Sequence, residues 1–319
     1  MPEAKKVMGM SKPVFIAVLL VVLAVTILSF LAGGIGRALF GIDFPEWLVV
    51  NQPNPHLPAG ELFHLGGFVV TNTIFTAWIS MLVLVGLFWA ATRRMKLIPG
   101  RFQAIAESVI SYLYDFCTDI AGEKNGRKFF PLVATIFLFV IMNALMNLIP
   151  GYNTITVGEG SHMTHLLRGA NTDVNFPLAL AVISFVMVEY WGLKTIGIFH
   201  YLGKFFNFGP FIKSIKHFRK TGPMGVFNGL IAIFIGFIEL MAEFIRIISF
   251  TFRLFGNMTG GEVLLVSMLF LMPFLLAIPF YGLELLVAFI QALIFAGLTL
   301  VFAHIAVTPH EAEEGAEHH

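Results

Sequence analysis

Long apolar runs dominate this chain, and several could cross a lipid bilayer. They cover 14–32, 70–91, 129–149, 176–193, 223–271 and 274–307, against a need of about 20 residues per crossing. Hydrocarbon offers the backbone no partners, so only helices or a closed barrel span it, and runs of this length are helical. Composition agrees: 57% of residues are hydrophobic and 12% charged, where soluble domains carry about 25% charged residues. The expected fold is all-α. It is a polytopic membrane bundle of about six inserted helices plus an amphipathic interfacial helix, with the last two long helices forming a tilted hairpin. The formal net charge of +1 argues against a nucleic-acid-binding body. The single cysteine, Cys117, excludes an intramolecular disulfide framework and a cysteine-cluster metal site.

Basic residues set the orientation. Lys5, Lys6 and Lys12 precede the first run, whereas 33–69 holds only Arg37. The segment 92–128 carries Arg93, Arg94, Lys96, Arg101, Lys124, Arg127 and Lys128. The segment 150–175 holds only Arg168, and 194–222 carries Lys194, Lys204, Lys213, Lys216, Arg219 and Lys220. The alternation predicts both termini on the cytoplasmic side. The first run reads as a retained anchor, being longer than a usual signal-peptide core, with a cleaved signal as the alternative. Pro45, Pro53, Pro55 and Pro58 make 33–69 an external loop. In 101–122, Phe102, Ile105, Val109, Leu113, Phe116 and Ile120 recur at three- and four-residue spacing, as in an amphipathic helix lying in the interface. The expected division is 1–69 as an added anchor and loop, 70–307 as the membrane domain and 308–319 as a short cytoplasmic tail of acidic and histidine residues.

Charges inside the apolar runs carry the functional signal. They are Glu189, Glu239, Glu243, Arg246, Arg253, Glu262 and Glu284. A charge at the bilayer centre costs roughly 2.5–3.5 kcal/mol even on mild insertion scales, so partners, water or function must offset it. Glu239, Arg246 and Arg253 are spaced by sevens and share one helix face, with Glu243, Ser249, Asn257 and Gly260 close to the same stripe. Glu262 falls on the opposite side, roughly 13 Å beyond Arg253, and Glu239 lies roughly 21 Å the other way. Glu284 and Gln291 share a face of the last run. As one helix, 223–271 would be roughly 70 Å long against a ~30 Å core, so it must tilt steeply or break, for instance at Gly256 or Gly260–Gly261. A structural reading of the same charges pairs Arg246 and Arg253 with Glu239 and Glu262. Glu189 and Lys194 read as snorkelling at a span end, Asn143 and Asn147 as helix–helix glue, and His304 as interfacial.

The chain contains no GxxxxGK[ST] phosphate loop, no HExxH and no cysteine pair. ATP chemistry, cofactor and metal are therefore not expected on this chain itself.

The stretch Arg253–Glu262, RLFGNMTGGE, resembles the signature of subunit a of the F-type ATP synthase membrane sector. Ile98–Gln103 (IPGRFQ), Gly126–Pro131 (GRKFFP), Asn143–Pro150 (NALMNLIP), Asp173–Asn175 and Gln291–Phe295 (QALIF) resemble other parts of that family, over roughly 60–307. The resemblance implies that Arg253 is the family's essential arginine, facing the carboxylate of each subunit of a rotating c-ring. It implies that Asn257, Glu262, Glu284 and Gln291 line the outer half-channel, that Glu239 and Ser249 lie near the inner exit, and that Asn147 contributes to the path. Histidine replaces Glu284 in some members, and aspartate replaces Asn147 in others. The implied partners are the c-ring, the subunit b peripheral stalk, the lipid bilayer and, indirectly, the F1 catalytic head. The implied location is the bacterial inner membrane. Two other readings are a secondary transporter, disfavoured by the lack of an internal repeat, and a scaffold subunit whose charges are structural.

Overall fold

The computed structural model describes residues 11–41, 45, 58–149, 151–152, 155–157, 164–205, 212, 215, 218–273 and 277–308. The tail after 308, Lys5 and Lys6, Pro53 and Pro55, Pro150, and Lys213 and Lys216 lie outside the described residues. The helices are α1 (Lys12–Ala32), α2 (Gly34–Phe40), α3 (Asn72–Thr92), α4 (Arg101–Asn147), α5 (Asn175–Ile196), α6 (Ile198–Phe205), α7 (Phe218–Leu271) and α8 (Ala277–Val307). Two small antiparallel ribbons, β1 (Glu61–Leu65) with β2 (Phe68–Thr71) and β3 (Thr156–Val157) with β4 (Thr164–His165), cap one end of the bundle. Among the described residues, α1, α3, α4, α5 and α8 are each long and apolar enough to cross a membrane. The protein is an all-α, multi-pass membrane protein. Segment 33–69 is not all loop: α2 and β1 fall within it.

Two glycines divide the longest helices. Gly122 (φ 74) interrupts α4 and Gly222 (φ 61) interrupts α7, both in left-handed backbone that favours glycine. The first part of α4 is the predicted amphipathic helix. Its Leu113, Cys117 and Ala121 are buried in the protein core beside Phe116 and Ile120, while Phe102 and Ile105 remain exposed. The stripe therefore faces the bundle in its second half, not only the bilayer interface. Beyond Gly222, α7 starts again at Pro223, where a proline suits a first helical turn, and runs helical to Leu271. Of the two alternatives, tilt or a break at Gly256 or Gly260–Gly261, the break does not occur. The helix keeps its roughly 70 Å length, which leaves tilt as the way to fit it to a bilayer. It stops before Pro273, and α8 begins at Ala277 with Pro279 in its first turn.

Helix α8 is the hub, packing on α4, α5 and α7. Its buried residues Ala288, Ala292, Ala296 and Ala303 are small, which lets neighbouring backbones approach closely. Against them sit Phe129, Val133, Phe137 and Val140 of α4, Val188 and Trp191 of α5, and Phe250, Leu254 and Met258 of α7. Helix α1 stands apart, with most of its surface exposed. Among the described residues it docks through its end, where the Ser29 hydroxyl donates to the Pro273 carbonyl, and the adjoining Gly34 of α2 lies against the Phe270 ring. The N-terminal helix thus rests on the end of α7.

Candidate functional site

The α7–α8 hairpin carries most of the predicted residues, and contacts step along it in order. Toward the open end, the Arg246 guanidinium lies 3.6 Å from the centre of the Phe302 ring. Phe250 then packs on Phe295 at 4.9 Å between centroids. Nearer the turn, Asn257 Nδ2 donates to Gln291 Oε1 at 2.6 Å. Beyond that, the Glu284 carboxylate lies directly over Gly261, so that any Cβ there would collide with it. Glycine at 261 is therefore a requirement of close approach. The shared face predicted for Glu284 and Gln291 is the face that meets α7, and the two residues are 7% and 2% exposed.

The polar stripe on α7 splits in two. Ser249, Arg253, Gly256, Asn257 and Gly260 are exposed on a strip that no described residue covers. Among the described residues, Arg253 makes no hydrogen bond or ion pair. Glu243 and Arg246 turn inward instead and pair with each other. Arg246 Nη1 is 2.6 Å from Glu243 Oε2, and Nη2 donates to Oε1 at 2.9 Å. This two-pronged i,i+3 pair, backed by the Phe302 ring, is the geometry in which a guanidinium and a carboxylate match best. Glu262 pairs not with α7 but with Arg168, whose Nε lies 3.5 Å from Glu262 Oε2. The structural reading that matched Arg246 and Arg253 with Glu239 and Glu262 is thus replaced by Glu243–Arg246 and Arg168–Glu262. Glu262 does face away from Arg253, as its nine-residue offset requires.

Three predicted residues stand apart from this group. Glu239 is half-buried toward the open end and Ser249 is exposed, both well short of the Asn257–Gln291 contact. Asn147, at the end of α4, packs against Gly169, next to Arg168. Near the open end Glu189 does not snorkel freely: it is half-buried beside Tyr201 of α6, while Lys194 is exposed near Tyr190. Burial pushes the Tyr201 hydroxyl above its ordinary range, and the neighbouring Glu189 carboxylate adds to the shift. His304 is half-buried, with its Nδ1 enclosed and lacking a hydrogen bond.

Sequence reasoning missed the strap of polar contacts at the ribbon end of the bundle. The Arg168 amide donates to Thr76 Oγ1 at 3.2 Å, and Thr73 Oγ1 donates to Asp173 Oδ2 at 3.0 Å. Asn72 holds Gly60 through its oxygen and the His165 carbonyl through its nitrogen. The available signal was the isolation of Arg168, the one basic residue in 150–175. Orientation counting treats such a residue as a loop charge.

A family profile described as ATP synthase A chain matches residues 74–304. ATP synthase subunit a of Citrifermentans bemidjiense is 32% identical over 244 residues, 76% of this chain and 91% of that protein. The Geotalea daltonii subunit a is 33% identical over 231 residues, 72% of this chain and 85% of that protein. The Moorella thermoacetica subunit a is 29% identical over 247 residues, 77% of this chain and 95% of that protein. The match takes in all of α4, α5, α6 and α7, and α8 up to residue 304, and leaves α1 and α2 outside. With a profile spanning most of its length and relatives matched nearly end to end, this chain belongs to the ATP synthase subunit a family of the membrane sector.

Proposed function

We propose that this chain is the stator of the membrane sector and carries protons, or Na⁺, through two offset half-channels to and from carboxylates on a c-ring. The observation that carries this reading is the contrast between its arginines. Arg246 and Arg168 have carboxylates of their own chain, whereas Arg253 stands without one, among the described residues, on an exposed strip. Gly256 and Gly260 flatten that strip, so a partner helix can come close. A guanidinium stays charged under all working conditions. Facing a carrier carboxylate, it favours the ionised form and so drives release of the carried ion.

The polar residues on either side of Arg253 supply the two access paths. Toward the turn, Glu284 over Gly261 and the Asn257–Gln291 pair, with Glu262 behind them, line the path from the outer side. Toward the open end, Glu239 and Ser249 lead to the inner side. Arg253 between them keeps ions from crossing without the ring. One charge crossing 100 mV is worth about 2.3 kcal/mol, and only a path interrupted in this way turns that energy into rotation. The distribution of lysine and arginine supports an inner-membrane orientation with both termini in the cytoplasm. On this reading 70–307 is the shared membrane domain, 1–69 an added anchor and 308–319 a cytoplasmic tail. Subunit b and, through it, the F1 head complete the assembly.

The test is Arg253→Ala in the assembled complex. The expected outcome is normal assembly with ion-driven ATP synthesis abolished. Synthesis at the normal rate per assembled complex would overturn the assignment.

A further inference from the structure

Arg168 joins three pieces of chain that are far apart in sequence. It is 7% exposed. Its backbone N–H bonds Thr76 of α3, its Nη1 donates to the Pro58 carbonyl at 3.1 Å, and its Nε faces Glu262 of α7. Pro58 lies outside the family match and Glu262 within it. Burying an arginine at such a junction is costly unless charge and hydrogen bonds are both satisfied. Glu262 supplies the charge, and Pro58 and Thr76 hold the arginine in place.

The contact with Glu262 is not a closed fork. Arg168 Nε and Glu262 Oε2 are both buried, and neither atom has a hydrogen bond. The carboxylate is held by charge with an acceptor oxygen left open. Close by runs a row of other open acceptors. Asn171 Nδ2 donates to the Val140 carbonyl of α4 at 3.3 Å, while its Oδ1 is buried without a partner. Asn143 lies one turn further along α4 and Asn147 one turn beyond it, against Gly169, and the Oδ1 of each is likewise buried without a hydrogen bond. Buried acceptors of this kind are rare, and each calls for a donor. Three of them, on one face of α4 and the segment 168–171, with the Glu262 oxygen of α7 as the fourth, suit a line of proton donors.

We propose that Arg168 is a positioning residue of the turn-end half-channel. It acts through Glu262, fixing that carboxylate beside the amide oxygens of Asn143, Asn147 and Asn171 so that the path enters between α4 and the segment 168–171. The proposal rests on the half-channel reading above. It gives the two carboxylates at this end different tasks. Glu262 is held in place by a counter-charge from outside α7. Glu284, which has no hydrogen bond or ion pair among the described residues, is free to pass the ion on to the Asn257–Gln291 pair.

The experiment compares Arg168→Gln, Arg168→Lys, Glu262→Gln and the Arg168→Gln/Glu262→Gln double variant in membranes carrying the whole complex. ATP-driven pumping and ion-driven ATP synthesis are read per assembled complex. Arg168→Gln is expected to slow both about tenfold, the loss typical of a bond to a charged group, and Arg168→Lys to keep most of the rate. Because the arginine works through Glu262, the double variant is expected to be no slower than the slower single. Losses that multiply in the double variant would overturn the proposal. So would an Arg168→Gln complex that assembles less but works at the normal rate. If Arg168→Gln fails to assemble, Arg168→Lys carries the test: Glu262→Gln must erase its deficit, and a deficit that persists refutes the proposal. Arg253→Ala measured alongside decides the half-channel reading separately, since normal synthesis there refutes that reading whatever Arg168 does.

Discussion

The two halves of the α7–α8 hairpin treat buried polarity in opposite ways. In the open half Glu243 and Arg246 of α7 grip each other and Phe302 covers the guanidinium. Phe250, set between Phe295 and Phe302, completes an aromatic seal. In the turn half almost every polar contact crosses between elements: Asn257 to Gln291, Glu284 over Gly261, and Glu262 to Arg168. Several atoms there keep bonding capacity to spare, among them Gln291 Nε2 and Glu262 Oε2. Charges paired at short range on one helix stabilise it and exclude water. Groups held loosely across helices can exchange partners, which ion transfer requires.

The comparison predicts that breaking the Glu243–Arg246 pair lowers stability while the rate per assembled complex survives, and that damage in the turn half does the reverse. The largest effect is expected from Glu243→Ala, which strands the half-buried Arg246. It should cost about 3 kcal/mol, at the low end for breaking a buried pair. Unfolding of the detergent-solubilised protein measures it, and adding Arg246→Met should recover most of the loss. A Glu243→Ala protein of normal stability but impaired pumping would erase the distinction between the halves. Next comes Gly261→Ala. The new methyl displaces the Glu284 carboxyl, and a shift of about 1 Å at such a centre lowers a rate roughly 100-fold. Proton pumping per assembled complex reads it out, with stability changed little. The smallest is Gln291→Leu, which leaves the Asn257 amide without its acceptor and should slow pumping about tenfold, the equivalent of one lost buried hydrogen bond. A loss confined to assembly would move Gln291 from the path to the packing.

Much of this architecture was legible beforehand. The apolar runs 70–91, 176–193 and 223–271 anticipate α3, α5 and the unbroken part of α7 to within a few residues. Bilayer length and helical periodicity are properties of consecutive residues. Periodicity also put Glu284 with Gln291, and Arg253 with Ser249. It could not say which neighbour each face would meet. The acid partners of Arg246 illustrate the limit, since Glu239 at seven residues and Glu243 at three both lie near its face. Side-chain reach favours the shorter spacing. The uninterrupted course through Gly256 and Gly260–Gly261 was equally out of reach. Glycine only weakens a helix, by about 1 kcal/mol, and tertiary packing of Leu254, Met258 and Leu265 outweighs that cost.

By itself, the sequence determined that the chain is a helical membrane protein, which runs are inserted, and that a charged stripe centred on Arg253 has to be explained. Local rules suffice for these, because hydrophobic transfer and helix geometry act along the chain. Only the tertiary structure decided that Arg253 is left without a carboxylate among the described residues while Arg168, 94 positions before Glu262, supplies that residue's counter-charge. Which charges neutralise each other depends on which helices pack side by side, and packing is set by the shapes of many residues at once.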